Sequence, residues 1–269
     1  MKLSVFIICC NEEDRIEQTI SSAKGFADEI IVVDSGSTDR TIEVATAAGA
    51  DQVVSHPWEG YGQQKRFAED LCKHDWILNL DADEALTEAS KDEIRSLFED
   101  GEPKTPCWRI PITQLYPFED EPCWAAHTNS PIRLYHKGYA RFRDDAVHDS
   151  VIFHSHIADQ QTGMLKNYIE HRSLISLTHT MRKIAFYSEH QAQKMFAQGK
   201  KPSMMRIIIE PFAAFTKNYI LRKFFAYGGW GISLSMVYAA GRVLRLARAR
   251  ELYLIDKHNK KSKKLGKSD

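Results

Sequence analysis

Two aspartates separated by a single residue, Asp81 and Asp83, directly follow the apolar run 76–80 and precede Glu84. Carboxylate oxygens at this spacing, at the end of a strand, can bind a divalent cation that meets a diphosphate from its other side. The alternative is an acidic surface turn, which is the more frequent origin of an isolated Asp-x-Asp sequence. A second carboxylate, which ends another predicted strand, favours the metal-binding interpretation.

That second carboxylate is Asp34, the last residue of the run 29–34, which the turn 35–39 follows. A carboxylate beside a glycine turn and a helix start is suited to hydrogen-bonding a nucleoside, while the amides of the helix start can contact phosphate. Alternatively, Asp34, Ser37 and Asp39 only form a turn and cap the next helix. The chain has neither a Gly-x-Gly-x-x-Gly fingerprint nor a Walker loop, which argues against dehydrogenases and P-loop enzymes.

Candidates for a general base lie in the segment 141–150, RFRDDAVHDS, which contains Asp144, Asp145 and Asp149. A carboxylate opposite a leaving group can take the proton of an attacking hydroxyl group. The alternative is that these aspartates pair with the arginines of the same segment. Histidines follow in the same part of the chain, but their spacings fit no standard zinc pattern, so we expect them not to bind a metal. They are His127, His136, His148, His154, His156, His171 and His179.

The first third of the chain supplies the elements that must position these side chains. Short apolar runs alternate there with helical patterns, which predicts βαβ units on a mostly parallel sheet. The predicted strands are 5–8, 29–34, 52–54 and 76–80, and the predicted helices are 13–24, one from about residue 41, and 63–72. Shorter, proline-punctuated runs from 103 to 153 predict antiparallel strands that close over this sheet.

Composition excludes several classes of protein. The 269 residues are 43% hydrophobic, which is enough for a sizeable core and excludes a disordered chain, a collagen or a small disulfide scaffold. Five cysteines without disulfide or metal spacing favour a reducing compartment. The apolar start of the chain stops at residues 11–14 with no small-residue cleavage site, so we interpret it as a strand and expect a cytoplasmic protein.

The two halves of the chain carry opposite charge. Residues 1–160 contain 15 Lys+Arg and 30 Asp+Glu, whereas residues 161–269 contain 21 and 6. A basic half of this kind predicts an anionic partner, either membrane lipid or nucleic acid. The basic half also interleaves aromatic residues with its cations, which favours a membrane surface, and we expect no nucleic acid.

The predicted membrane-binding residues of this half are Phe224, Phe225, Trp230, Arg242, Arg245 and Arg248. The uncharged run 224–241 spans 18 residues, and as a helix it is about 27 Å long. That length barely spans a bilayer, and three glycines weaken its start, so we favour interfacial helices over a membrane span. The alternative is that the same residues form the core of a helical layer or an oligomer interface.

Several blocks of the sequence resemble a known family. VFIICCNEEDRI, EIIVVDSGSTDRT, GYGQQKRFAED and DWILNLDADE are similar to consecutive blocks of the inverting family-2 glycosyltransferases, which have the GT-A fold. PIRLYHKGYARFRDDAVHDSV and the basic, aromatic C-terminus are most similar to the lipopolysaccharide inner-core β-1,4-glucosyltransferases of the KdtX/WaaE type. This resemblance covers nearly the whole chain. It implies a sugar-nucleotide donor, Mg²⁺ or Mn²⁺, and inversion at the anomeric carbon.

The resemblance also implies roles for individual residues at the donor. Asn11 and Glu12 match the first-strand motif at the nucleotide pocket, and Asp34 matches the carboxylate that contacts the base. Asp81 matches the member of the Asp-x-Asp pair on the ribose and phosphate side, and Asp83 matches the metal ligand.

Two further matches concern the reaction itself. Lys65 matches a basic position near the donor, the alternative being a solvated helix lysine. Asp149 occupies the position of a glutamate that follows Val-His in many relatives, so it ranks first as the catalytic base, although its side chain is shorter. Asp145 ranks second.

We therefore expect a GT-A α/β domain at residues 1–155, a basic aromatic helical region at 156–250 and a basic flexible tail at 251–269. The expected reaction moves a hexose, with UDP-glucose the favoured donor, onto a lipid-linked glycan such as the lipopolysaccharide inner core. The expected location is peripheral, on the inner face of the bacterial inner membrane, with the oligomeric state left open. One alternative is a polyprenyl-phosphate glycosyltransferase, whose ionised acceptor needs no base. A non-enzymatic alternative is a nucleotide-sugar-binding or nucleic-acid-binding module.

Overall fold

The computed structural model describes residues 2–146 and 149–265, with side chains through residue 260. The chain divides into two units, of which the first contains Met1–Leu115 and His127–Ser173. Its sheet begins with four parallel strands in the spatial order β3-β2-β1-β4. They are β1 (Leu3–Cys9), β2 (Glu29–Asp34), β3 (Gln52–Ser55) and β4 (Trp76–Asp81). β1 and β2 are buried along their whole length, as expected for apolar strands covered on both faces.

Helices connect these strands. They are α1 (Ile16–Ala23), α2 (Thr41–Ala48) and α3 (Tyr61–Leu71), and α4 (Glu88–Leu97) follows the sheet's fourth strand. α1 buries Ile16, Ile20 and Ala23, which lie on one face because the α-helix repeats every 3.6 residues. The predicted alternation of strands and helices is therefore confirmed.

Antiparallel strands extend the sheet beyond β4. β9 (Ile132–His136) pairs antiparallel with β4 and with β6 (Cys107–Arg109), and β12 (Thr162–Met164) completes the sheet beside β6. A smaller sheet has the order β5-β13-β7-β8, and β10 and β11 form a separate hairpin. These strands are β5 (Glu84–Leu86), β7 (Ile112–Gln114), β8 (Thr128–Asn129), β10 (Ala140–Phe142), β11 (Val151–Phe153) and β13 (Ile169–His171).

The register of the parallel strands places the predicted site residues at one edge. Asp34 is aligned with Cys9 of β1, and Asp81 is aligned with Ile8 of the same strand. The carboxyl ends of β1, β2 and β4 are therefore level, which is where open α/β sheets bind ligands.

The second unit contains Tyr116–Ala126 and Leu174–Asp269, and its regular secondary structure among the described residues is helical. Its helices are α5 (Leu177–Ala197), α6 (Met204–Thr216) and the 38-residue α7 (Gly228–Leu265), with π-helical Lys217–Leu221 and a short 3₁₀ helix, Phe224–Tyr227, between the last two. α7 packs against both α5 and α6. Over the described part of the chain, no helix has the length and apolar character that a membrane span requires.

The boundaries of these units differ from the expected ones. The first unit continues past residue 155 to Ser173, because β12 and β13 return to its two sheets. The expected flexible tail from residue 251 is helical up to Leu265, since ion pairs one turn apart, such as Asp256 with Lys260, support α7 there. Residues 266–269 lie outside the described residues.

Candidate active site

Lys65 joins the Asp-x-Asp sequence to the first-ranked candidate base. Its Nζ lies 2.8 Å from Asp81 Oδ1 and 2.7 Å from Asp149 Oδ2. The lysine side chain is only 1% exposed, and its ammonium lies 5.0 Å from the centre of the Phe142 ring. The alternative of a solvated helix lysine is therefore wrong. One buried cation brings together two carboxylates that are far apart in the sequence.

The N-terminus of α3 explains how this contact is built. The Tyr61 and Gly62 amides donate hydrogen bonds to the carbonyl oxygens of Ala146 and Asp145, at 3.2 and 3.0 Å. Orphan amides of the first helical turn are thus satisfied by the loop that leads to Asp149. Gly62 is required at this approach, because a Cβ there would lie 2.2 Å from the Arg143 carbonyl oxygen. Asp145 therefore contributes a backbone contact that docks the loop against the helix carrying Lys65.

Arg133, which the sequence interpretation missed, holds the other side of Asp81. This buried arginine extends from β9, and its Nη2 lies 2.7 Å from Asp81 Oδ2 and 2.6 Å from Glu84 Oε1. Burial raises the pKa of Asp81, but the positive charges of Arg133 and Lys65 outweigh that effect and lower it well below its ordinary value. Burial raises the pKa of neighbouring Glu84 to about 7. Asp81 is therefore the ionised partner of two cations.

Asp83 faces a different set of groups. Its Oδ2 lies 3.3 Å from His171 Nε2 and 3.3 Å from Arg15 Nη1. Burial raises the pKa of Asp83, but the hydrogen bond from His171 and the charges of His171 and Arg15 outweigh burial and lower it. Burial lowers the pKa of His171, but the hydrogen bond to Asp83 and the charge of Asp83 outweigh burial and raise it. The contact thus favours the ionised form of Asp83 and the protonated form of His171.

The same pair fits a divalent cation. Carboxylate oxygen and unprotonated imidazole nitrogen are both metal ligands, so a cation would take the place of the proton between Asp83 and His171. Two adjacent ligands at about 2.1 Å from one ion lie about 3 Å apart, close to the separation of Asp83 and His171. The sequence interpretation did not place His171 beside Asp83, because β13 reaches Asp83 only through its pairing with β5. Among residues 2–146 and 149–260, no cluster of three or more metal-binding side chains occurs, so such an ion would need further ligands from its substrate.

The loops after β1 and β2 are bound to each other. Asn11, whose φ is 56°, donates its N–H to Ser37 Oγ at 2.8 Å, and its Oδ1 accepts the Thr38 N–H at 2.8 Å. Glu12 donates its N–H to Thr41 Oγ1 at 2.7 Å, and its carboxylate pairs with Arg15. These contacts fix the two loops that we expect to contact the nucleotide.

Asp34 lies beneath these loops. It is fully buried, and its Oδ2 accepts the N–H groups of Gly36 and Ser37 at 2.8 and 2.9 Å. The turn-forming role that the sequence left as an alternative is therefore present. Contact between Asp34 and a base stays a prediction.

A cavity of about 740 Å³ opens beside these groups. Asp81 and Asp149 both line it, together with Arg133, and the remaining charged lining residues are Arg109 and Arg143. Lys65 pairs with both aspartates from beneath the surface. A molecule that enters the cavity therefore meets Asp149, the candidate base, in its ion pair with Lys65.

The predicted membrane-binding residues divide into two groups. Phe224 is 7% exposed in the core of the second unit, so its predicted insertion into lipid is wrong. Arg245 pairs with Glu210 at 3.1 Å and Arg248 with Glu189 at 2.8 Å. Both arginines thus join α7 to a neighbouring helix, α6 or α5, which agrees with the alternative that these residues belong to a helical layer.

The other group is accessible in the second unit. Arg242 and Phe225 are exposed, and Trp230 is half-buried. α6 additionally exposes an apolar stripe that the sequence interpretation did not single out, although its spacing is helical. The stripe consists of Met204, Met205, Ile208, Ile209 and Phe212.

A mostly parallel sheet with an antiparallel extension, an Asp-x-Asp pair at its carboxyl edge and a cavity alongside define the GT-A class of transferases. The chain belongs to glycosyltransferase family 2, since the sequence profile described as Glycosyl transferase family 2 matches residues 4–157. It is an enzyme of that family.

Relatives over nearly the full length agree with this assignment. An uncharacterized glycosyltransferase of Rickettsia bellii is 42% identical over 258 residues, which cover 94% of this chain and 87% of that protein. The lipopolysaccharide core biosynthesis glycosyltransferase LpsC of Rhizobium meliloti is 30% identical, over 94% of this chain and 92% of that protein. The family thus includes a relative named for lipopolysaccharide core synthesis.

Among solved structures, the chain is similar to glucosyl-3-phosphoglycerate synthase from Mycobacterium tuberculosis in complex with Mg²⁺ and UDP. That protein is 28% identical, with 43% of this chain and 44% of that chain covered and a TM-score of 0.34. TarS of S. aureus is 14% identical, with 95% and 92% covered and a TM-score of 0.45.

Proposed function

We propose that the protein transfers a hexose from a sugar nucleotide, with UDP-glucose the favoured donor, onto a lipid-linked glycan of the lipopolysaccharide inner core. The observation that carries the proposal is the buried Lys65, which pairs with Asp81 and with Asp149 at the wall of the cavity. The 30% identity to LpsC supports a core glycan as acceptor. The narrower resemblance to the KdtX/WaaE type belongs to the same proposal.

The donor binds along the carboxyl ends of β1, β2 and β4. Its nucleoside lies against the loops that Asn11, Glu12 and Asp34 build, and its ribose and diphosphate approach Asp81. Arg133 and Lys65 hold the Asp81 carboxylate from two sides, so it meets the donor in a fixed orientation. Preorganised polar groups avoid reorganisation cost at the moment of reaction.

Asp83 and His171 would hold Mg²⁺ or Mn²⁺ at the diphosphate. When bound, the cation supplies positive charge that stabilises the leaving diphosphate. Arg15, which pairs with Asp83 and Glu12, fixes the Asp83 carboxylate toward His171. The chemical fit rests on the donor types and the 3.3 Å separation of the Asp83 and His171 atoms.

Asp149 acts as the general base. The acceptor oxygen attacks the anomeric carbon opposite the diphosphate, its bond to carbon forms as the carbon–diphosphate bond breaks, and its proton passes to Asp149. Lys65 orients the Asp149 carboxylate through the 2.7 Å contact. Asp145, whose carbonyl oxygen binds the start of α3, positions the loop that carries this base.

The second unit binds the anionic surface of the inner membrane's inner face. Phe212 is 71% exposed and Met205 64%, both on the apolar stripe of α6. Between residues 190 and 250 the chain has eleven Lys and Arg residues and a single acidic residue, Glu210. An apolar stripe among cations is typical of helices that lie in a headgroup layer.

Vesicle co-sedimentation tests this membrane contact. The double variant I208D/F212D should lose binding to anionic vesicles while it retains transfer to a deacylated, soluble acceptor. Ile42→Asp on α2 makes the same change at another exposed isoleucine, which is 42% accessible, and should bind vesicles normally. Equal binding of the wild type to neutral and anionic vesicles contradicts the proposal. A wild-type dimer that dissociates in the double variant also contradicts it, because the apolar stripe of α6 would then contact a second copy of the chain.

The transferase proposal itself is tested with a panel of sugar nucleotides, with and without truncated, deacylated core oligosaccharides, in Mg²⁺, Mn²⁺ or EDTA. We expect metal-dependent release of nucleoside diphosphate that the acceptor accelerates. Transfer to a polyprenyl phosphate that survives loss of the Asp149 carboxylate would instead support the lipid-phosphate alternative.

A further inference from the structure

The wall of the cavity beside Asp149 carries positively charged side chains that do not pair with the carboxylates of the same wall. Residues 1–160 contain twice as many acidic as basic side chains, 30 against 15. Nevertheless, the charged lining of the cavity consists of three arginines and two aspartates. The local balance is thus the reverse of that of the surrounding sequence, which indicates a site for an anion.

Two of the three arginines form no ion pair with a carboxylate in the described part of the chain. Arg133 is committed to Asp81 and Glu84. Arg109 and Arg143 are exposed, and neither forms an ion pair with a carboxylate in the described part of the chain. Arg109 donates to the Ser130 carbonyl oxygen at 3.1 Å, which uses one of its five N–H donors. Both guanidinium groups can therefore bind an oxyanion, for which their planar fork is suited.

The sheet order places Arg109 away from the nucleotide loops. β6 runs parallel to β4, because each is antiparallel to β9 between them, so Arg109 at the end of β6 lies at the same edge as Asp81. Two strand spacings, about 10 Å, separate β6 from β4. The loops of Asn11 and Asp34 follow β1 and β2, which lie on the opposite side of β4 from β6. Arg109 is therefore on the side that the donor leaves open.

Arg143 belongs to the segment that carries the base. Its N–H donates to the Ser150 carbonyl oxygen at 2.9 Å, so it lies opposite the residue that follows Asp149. Since Asp149 must face the acceptor hydroxyl group, a cation on the same loop and in the same cavity contacts the acceptor rather than the nucleoside.

We infer that the acceptor is anionic, and that Arg109 and Arg143 bind a phosphate ester or a sugar carboxylate of the acceptor beside its reacting hydroxyl group. This inference rests on the proposed function, because it assigns the acceptor of that transfer. It adds a specificity element to it: a glycan with the same hydroxyl group but without the anion is a poor acceptor.

Acceptor kinetics with three forms of one oligosaccharide test the inference. A deacylated, truncated core oligosaccharide is used intact, after enzymatic dephosphorylation, and after carbodiimide-mediated reduction of its carboxylates. With the intact form, R109Q and R143Q should each raise the acceptor KM about ten- to a hundredfold, the usual cost of a lost charge-assisted hydrogen bond. The donor KM and the slow hydrolysis of donor without acceptor should stay at wild-type values.

Removal of the recognised anion should make the acceptor weak for the wild type and equally weak for R109Q/R143Q. Whichever treatment has this effect identifies the anion as phosphate or carboxylate. R109K and R143K should recover part of the acceptor affinity, since they retain the charge. R95Q removes the same charge from α4, where Arg95 pairs with Asp92, and serves as the matched control with unchanged kinetics.

A binding arm needs no acceptor. Isothermal titration with inorganic phosphate, in the presence of UDP and Mg²⁺, should detect binding to the wild type and none to R109Q/R143Q. The inference is overturned if the donor KM rises with the acceptor KM, if the variants affect all three oligosaccharides alike, or if phosphate binds both proteins equally. Failure of the wild type to bind or consume any sugar nucleotide is a different result, which refutes the proposed function itself.

Discussion

Replacement of Lys65 by methionine removes the cation that joins Asp81 to Asp149 while keeping most of the side-chain volume. Loss of one partner from a buried ion pair costs about 3–5 kcal/mol. Here Asp81 and Asp149 are 35% and 42% exposed, and Asp81 retains Arg133, so water and the arginine compensate in part. We therefore expect the free energy of unfolding to fall by about 1–3 kcal/mol, below the value for a fully buried pair.

The effect of Lys65→Met on turnover should exceed its effect on folding. Without the ammonium group, Asp149 loses the contact that orients it, and we expect kcat to fall about 10²-fold, toward the loss for removing the base itself. Urea denaturation gives the stability, and initial rates at saturating donor and acceptor give kcat. Lys91→Met is the matched control, because Lys91 is also largely buried but pairs with Glu88, which is 79% exposed.

A double-mutant cycle with Asp149→Asn tests whether Lys65 acts on turnover through Asp149. If Lys65 acts through Asp149, the double variant should be little slower than Asp149→Asn alone, since the two residues work as a unit. Wild-type turnover in Lys65→Met, or fully additive losses in the double variant, would show that Lys65 does not act through Asp149.

Changes to Asp83, Asp149 and Glu69 test other parts of the site and the core. Asp83→Ala should abolish transfer and weaken metal-dependent donor binding in calorimetry without unfolding the protein; most activity retained at saturating donor excludes its metal role. Asp149→Asn should lower kcat about 10²–10⁴-fold at unchanged donor affinity, with Asp145→Asn much milder; the reverse order would transfer the role of base to Asp145. Burial raises the pKa of Glu69 despite its bonds from Tyr135 and Phe142. The protonated Glu69 side chain therefore stabilises the folded protein fully below the pKa of Glu69 in the unfolded chain, about 4.3. This stabilisation is lost as the pH rises through the higher pKa of Glu69 in the folded protein. Urea denaturation from about pH 4 to about pH 8 should show the wild type losing stability relative to Glu69→Gln, and an unchanged difference contradicts the pKa shift.

The parallel strands could be predicted because they are buried on both faces and read as continuous apolar runs. The run 29–34 coincides with β2, and the run 76–80 matches β4 to within one residue. Strand ends then located Asp34, Asp81 and Asp83, because the carboxyl ends of parallel strands meet at one edge. Local pattern was sufficient wherever a residue's position depends on its own strand.

Arg133 and His171 could not be predicted in this way. Each lies on a short strand, and each reaches the site only through pairing with a strand distant in the sequence, β9 with β4 and β13 with β5. Nothing in the local sequence specifies that register. A charged residue within the otherwise apolar run 132–135 was the available signal for Arg133.

The helical unit shows a different limit. Phe224 and Phe225 are adjacent aromatic residues with the same neighbours in sequence, yet one is buried and the other 44% exposed. Aromatic and basic residues at helical spacing fit a lipid surface and a helical core equally well, and only tertiary packing decides between them. The ion pairs of Arg245 and Arg248 likewise depend on how α7 packs against α6 and α5, which the local sequence does not specify.

Inverting transfer of a hexose to a glycan hydroxyl group fixes the anomeric configuration of the product, which can be measured. The protein is incubated with ¹³C-labelled UDP-glucose, Mg²⁺ or Mn²⁺ and a deacylated, truncated core oligosaccharide. The one-bond carbon–proton coupling at the labelled anomeric carbon then gives the configuration of the new linkage. Because the donor is an α-glucoside, we predict a β-linked glucose on the oligosaccharide, formed by the wild type and nearly absent with Asp149→Asn. An α-linked product contradicts inverting transfer, and a β-linked product formed at the same rate without the Asp149 carboxylate contradicts its role as the base.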